Sequence, residues 1–167
     1  LATMMYSVSI STIRTDLALT AVQAGSLGTY TFMGQMLGGM VAGYLADRYG
    51  RKNILIVDVI LATLAVFATS LLQSYSIFGI LRFITGVGLG GCYYIASILI
   101  GEFVPTNKRG FMSGVATSVW NFGYVVCCAM SAFALPSIGW RWCFRICALP
   151  IVFVIFMIVG MKDAPSF

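Results

Sequence analysis

The chain has 167 residues, 60% of them hydrophobic and 9% charged, with a mean hydropathy of +0.97 and a formal net charge of +5. A soluble domain carries about 25% charged residues, so a water-exposed globule is excluded and lipid must solvate much of the surface. The basic residues sit at the ends of apolar runs, so no nucleic-acid groove is expected; with no histidine and no Cys-x-x-Cys pair, no metal, cofactor or disulfide framework is expected either.

A membrane-crossing helix needs about 20 mostly apolar residues. Five runs reach that length, at 22–46, 54–73, 76–101, 111–135 and 142–161, and residues 1–13 read as the tail of a further helix. The predicted fold class is therefore an all-α polytopic membrane protein, with five full spans and a partial first helix. The chain opens mid-pattern at Leu1 and stops just after an apolar run, at Asp163–Phe167, so it is expected to be a fragment of something longer. Cys92, Cys127, Cys128, Cys143 and Cys147 all lie in apolar runs and read as small packing residues.

Loops alternate sides. Arg48, Arg51, Lys52, Lys108, Arg109 and Lys162 share one side, whereas Arg14, Arg141 and Arg145 share the other. The positive-inside rule assigns the first side to the cytoplasm. Trp140 and Trp142 fall where interfacial aromatic anchors are expected.

The most informative stretch is the inner turn, with Gly43, Asp47, Arg48, Gly50, Arg51 and Lys52 packed between two spans. Small residues leading into it permit close helix contact. Gly34 and Gly38, Gly39 and Gly43, and Gly86 and Gly90 recur at i, i+4; this spacing suits a sliding interface or plain tight packing. Glu102 in the second inner turn has Arg48, Arg51 and Arg109 as possible partners, and such pairs would close the cytoplasmic face; independently solvated charges are the alternative.

Arg82 lies inside an apolar run, about 9 Å from the outer end at the helical rise. An intramembrane charge needs a wet cavity, a partner or a route to the interface, and marks a functional candidate. Asp58 is placed too far inward to pair with it and is expected to pair with Arg51 or Arg109. Arg82 is then expected to find its counter-ion in a segment beyond this chain or in an anionic substrate. Gln35, Tyr93, Tyr94, Ser97, Ser118 and Asn121 are polar residues within spans, expected to turn inward for hydrogen bonds. Asn121 beside Trp120 offers a hydrogen-bonding and stacking surface for a small polar ligand; helix–helix contact is the alternative for each.

These motifs together resemble the N-terminal half of a major facilitator superfamily transporter. The run Gly43-x-Leu45-Ala46-Asp47-Arg48-x-Gly50-Arg51-Lys52 is similar to that superfamily's loop signature between helices 2 and 3. Arg82 through Gly91, Glu102-x-x-Pro105-x-x-x-Arg109-Gly110, Gly139 through Phe144 and the closing Asp163-Ala164-Pro165-Ser166 fit in the same order. Within the superfamily, Gly90 through Pro105 looks most like bacterial metabolite–proton symporters for aromatic acids and related carboxylates. Arg145 departs from the pattern, since an apolar residue is more usual there.

The resemblance implies a twelve-helix transporter of two six-helix halves that rock about a central site. It implies a small-molecule substrate, anionic in class, with protons as the coupling ion, the lipid bilayer as environment and a C-terminal half as partner. Arg82, with Gln35, Tyr93, Tyr94, Trp120 and Asn121, would serve substrate or proton coupling. Gly43, Asp47, Arg48, Gly50, Arg51, Lys52, Glu102 and Arg109 would form the cytoplasmic gate. The expected location is the bacterial inner membrane, and no enzymatic activity is expected. A sugar or polyol porter is the alternative within the superfamily; a short non-transporting membrane interaction or assembly protein is the alternative outside it.

Overall fold

A computed structural model describes residues 2–16, 19–71, 74–133, 142, 143 and 145. Five helices run in order: α1 (Ala2–Asp16), α2 (Ala21–Tyr49), α3 (Arg51–Thr69), α4 (Tyr75–Phe103) and α5 (Arg109–Phe133), with a short 3-10 turn at Thr106–Lys108 before α5. No strand occurs among the described residues. The sixth expected span, 142–161, lies almost wholly outside them.

Local chemistry sets the helix ends. Thr20 accepts from the Gln23 backbone N–H at 3.2 Å, and the Gln23 side chain accepts from the Thr20 N–H at 3.0 Å. This reciprocal box satisfies two donors that the first turn of α2 would otherwise leave open. At the other end, Gly50 takes φ +88°, a region that side-chain-bearing residues rarely enter, and α3 starts at the next residue. The expected 47–53 loop is thus a one-residue break between two helices. Its charges are mounted on helix ends rather than on a pliable loop. Pro105 follows the end of α4, where its missing N–H and fixed φ disfavour continuation.

α2 and α4 each hold 29 residues, about 43 Å at the helical rise. A hydrocarbon core is about 30 Å thick, so these helices overshoot it. Asp47, Arg48 and Glu102 at their inner ends therefore escape the apolar layer. α3, α4 and the segment ending in α5 are long and apolar enough to cross a membrane by length and composition. α2 is longer than α3, but its glycine, threonine and glutamine content lowers its mean hydropathy.

α4 is the central element, packed on α2 along one side and α3 along the other. The α2–α4 contact is backbone on backbone. A Cβ at Gly34 would strike the Phe83 carbonyl, one at Gly38 that of Val87, one at Gly86 that of Thr31 and one at Gly90 that of Gln35. Pairs 31/86 and 35/90 advance together, so the two helices run parallel. One apolar cluster gathers Tyr6, Ile13, Leu27, Val66 and Phe78; a second gathers Ala42, Ala46 and Ile95 nearer the inner end. Large side chains such as Met36, Met40, Phe111 and Phe122 are exposed.

Candidate functional site

The intramembrane charge is enclosed rather than surfacing. Arg82 is 1% exposed, and its guanidinium carbon stands 4.1 Å from the centre of the Tyr6 ring and 5.3 Å from that of Phe78. Tyr6 is itself fixed, donating its hydroxyl to the Ala24 carbonyl at 2.6 Å. The negative faces of two rings thus meet the cation in a desolvated setting, where such contacts are strongest. Of the routes open to an intramembrane charge, Arg82 does not take the one to the outer interface, and aromatic faces from α1 and α4 receive it within this chain. Tyr6 was not among the sequence candidates. Its only signal was an aromatic residue in the partial first helix, and a ring carries no formal charge to pair with.

The other coupling candidates fall into separate places. Gln35 is half-buried in the α2–α4 seam, where its carbonyl meets Gly90. Tyr93 is 67% exposed and meets the Trp120 indole edge-on at 6.2 Å between centroids. Asn121 is exposed on α5. Tyr94 points elsewhere: its ring covers Gly43, where a Cβ would approach Tyr94 Cε1 at 2.8 Å. Tyr94 helps line a groove of about 390 Å³ with Met36, Gly39, Met40, Gly43, Tyr44 and Asp47. The structure therefore brings Tyr93 to Trp120 and places Tyr94 with the gate residues. Ser97 and Ser118 satisfy their hydroxyls on their own helices, through the Tyr93 and Gly114 carbonyls.

At the inner ends, Arg51 is the hub. It pairs with Glu102 at the end of α4 and with Asp47 at 3.8 Å, one helical turn back across Gly50. Among its three possible partners, Glu102 takes Arg51. Arg48 instead lies 5.8 Å from the Tyr49 ring, and Arg109 donates its Nε–H to the Val104 carbonyl at 3.1 Å, bracing the turn before α5. Lys52 is half-buried beside Arg51. A bond from α3 to α4 and another across the Gly50 break tie three helix ends together.

Asp58 departs from expectation. It forms no ion pair with Arg51 or Arg109; it is 8% exposed and lies against Gly91 of α4. Seven residues separate it from Arg51, about 10 Å along the helix, and Arg51 is already held by two carboxylates at the helix end. No group of three or more metal-ligating side chains occurs among the described residues.

Long apolar helices joined by tight turns, a charge enclosed within the bundle and an ion-pair hub at one end are the features of a multi-pass membrane protein. The chain belongs to the Major Facilitator Superfamily, whose family model matches residues 1–166. Its described helices are accordingly those of that family's N-terminal half, and the family is one of transporters, not enzymes. The chain is 32% identical over 154 residues to the cis,cis-muconate transport protein of Acinetobacter baylyi, covering 92% of this chain and 37% of that one. It is 33% identical over 155 residues to the niacin transporter NiaP of the same organism, covering 93% of this chain and 35% of that one. Among solved structures, the inward-open xylose transporter XylE of Escherichia coli superposes with a TM-score of 0.83 at 20% identity. That match covers 98% of this chain and 45% of XylE, and at this identity it speaks to fold alone. The chain thus spans less than half the length of the relatives it matches.

Proposed function

We propose that the protein containing this chain is a proton-coupled symporter of small organic anions, aromatic acids or other carboxylates, working by alternating access. The observation that carries the reading is Arg82, a guanidinium buried against rings of α1 and α4 at membrane depth. Enclosing a cation there is costly, and such residues mark ion or substrate paths. The names of two relatives, muconate and niacin transporters, support a carboxylate substrate.

In this reading a second six-helix half completes the central site. Substrate or proton draws Arg82 off the Tyr6 face, which differentiates the two access states energetically. Tyr93, Trp120 and Asn121 offer ring edges and an amide to the substrate, while Gln35 lies in the α2–α4 seam and Tyr94 beside Gly43 of the gate. The Arg51 hub, with Asp47, Glu102, Arg48, Lys52 and Arg109 around it, holds the cytoplasmic ends together in the outward-open state and parts in the other. Gly43 and Gly50 set the close packing and the sharp break on which that hub is mounted.

The test is uptake by the full-length protein in proteoliposomes with an imposed proton gradient, wild type against Arg82→Gln. Gradient-driven carboxylate uptake is expected in wild type and is expected to be lost in the variant. Unchanged uptake and pH dependence in Arg82→Gln would overturn the coupling role. Uptake of neutral sugars without competition from carboxylates would overturn the substrate class.

A further inference from the structure

A second ionisable group lies inside the bundle, and nothing in the Arg82 site uses it. Asp58 sits two turns into α3, 8% exposed, at the point where α3 crosses α4. The crossing is close: a Cβ at Gly88 would stand 2.9 Å from the Ala62 Cβ, and one at Gly91 would strike the Asp58 carboxyl. The same Gly91 position approaches the Ala42 Cβ of α2 at 2.8 Å, so three helices meet around this side chain. Asp58 Oδ2 has no hydrogen-bond partner among the described residues. The groups that face it are uncharged: α4 offers Gly91 and the Cys92 thiol, and α2 offers Ala42. The nearest charges along the three helices are Lys52 and Arg51, six and seven residues back on α3, Asp47 and Arg48, five and six residues beyond Ala42 on α2, and Arg82, nine residues before Gly91 on α4; Arg51 engages Glu102 and Asp47.

An isolated carboxylate in such a place loses its hydration and gains no compensating charge, whereas the neutral acid loses far less. We propose that Asp58 is a proton-binding site at the α2–α3–α4 junction, occupied by a proton in this packed arrangement and separate from the Arg82 locus. Gly91 lies nine residues beyond Arg82 on α4, about 13 Å at the helical rise, so the two groups titrate in different surroundings. Releasing this proton leaves a bare carboxylate against Gly91, which favours parting α3 from α4 and admitting water. The junction lies deeper than the Arg51 hub on the same two helices, so proton release there loosens the packing beneath the inner gate. Proton occupancy does not depend on the proposed symport; only its use in coupling rests on that reading.

Two measurements on the full-length protein separate these claims. The first is the infrared spectrum of protein carrying carbon-isotope-labelled aspartate at neutral pH. An isotope-shifted carboxylic-acid band is expected in wild type and is expected to vanish in Asp58→Asn. Absence of the band in wild type, or its persistence in the variant, overturns the proposal. Asn and Ser replace a neutral acid with a neutral group of equal or smaller size, so failure of both Asp58→Asn and Asp58→Ser to assemble also counts against it. The second measurement compares gradient-driven accumulation with substrate exchange at equal pH. Asp58→Asn is expected to lower accumulation on the order of tenfold, an ordinary coupling strength, and to leave exchange intact. If wild-type uptake ignores the proton gradient, the symport reading falls while the infrared result still decides proton occupancy.

Discussion

The α2–α4 seam and α5 are built from similar material and end differently. Both α4 and α5 are long and apolar, yet 28% of the most apolar window of α4 is buried against 6% for that of α5. Both also carry glycines four residues apart, Gly86 and Gly90 in α4, Gly110 and Gly114 in α5. At Gly86 a Cβ would strike the backbone of α2; at Gly110 and Gly114 nothing lies within 4 Å among the described residues. In lipid, apolarity gives no drive for helix to meet helix, and close fit supplies it. Glycine spacing is thus a permission that takes effect only where a facing helix presents the matching groove. Gly34 and Gly38 of α2 provide that groove; no described helix does so for α5.

The sharpest way to break this comparison is to fill the seam. Gly86→Val places methyl groups where the Thr31 carbonyl and Gln35 nitrogen stand, and backbone atoms cannot rotate aside as a side chain would. A loss of about 3 kcal/mol is expected, at the upper end of ordinary overpacking. Gly101→Val, where nothing lies within 4 Å among the described residues, is the matched control, with a change below about 1 kcal/mol from helix propensity alone. Thermal melts of both variants in detergent check the pair; equal melting would show that α2 and α4 do not touch at Gly86.

Next in size is the aromatic bed beneath Arg82. Tyr6→Leu removes the hydroxyl bond to Ala24 and the ring 4.1 Å from the guanidinium; about 2 kcal/mol of lost stability is expected from a desolvated cation–π contact. Tyr6→Phe keeps the ring and removes only the hydroxyl, so about 1 kcal/mol is expected. Equal losses in denaturant titrations of the two variants would remove the ring face from the account.

The helices among the described residues, and the clustering of the inner-turn charges at their ends, were legible because they rest on periodicity and charge, which a sequence displays directly. The partner of Arg82 was not. Electrostatic pairing leads a reader to a carboxylate, whereas the structure supplies the faces of Tyr6 and Phe78, whose attraction comes from a quadrupole with no formal charge. Asp58 misled for a related reason. Its place toward the inner end of α3 suggested a pair with the loop charges, but seven residues separate it from Arg51, which is claimed by Asp47 and Glu102 at the helix end, and Gly91 leaves room for a carboxyl beside α4. The inner turn was visible and its form was not, since one positive φ at Gly50 suffices to reverse the chain. Likewise, the adjacent Tyr93 and Tyr94 share a motif but not a face.

A smaller effect separates the two arms of the gate hub. The Glu102 side chain is 45% exposed and that of Asp47 is 73% exposed, with Arg51 at 26% between them. Exposed ion pairs contribute about 0.2–1 kcal/mol, so Glu102→Gln is expected near the top of that range and Asp47→Asn near the bottom. Both losses are expected to shrink as salt is raised, because screening acts on partly exposed charges. Melting curves at low and high ionic strength check this. An equal loss in the two variants would make Arg51 a symmetric hub rather than mainly a tie between α3 and α4.

The last change carries the opposite sign. Gly114→Ala adds one methyl group in a helix interior where nothing stands within 4 Å among the described residues. Alanine gives up less backbone entropy than glycine on entering a helix, so a gain of about 0.5–1 kcal/mol is expected. Gly86→Ala, the same change in the seam, is expected to lose stability, because its Cβ meets the Thr31 carbonyl before any entropy is recovered. Measured in the full-length protein, the Gly114 variant also reads what covers α5. A gain means that the stripe stays open in the assembled transporter; a loss means that another helix sits there as closely as α2 sits on α4, and the contrast between the two regions is then local to this half.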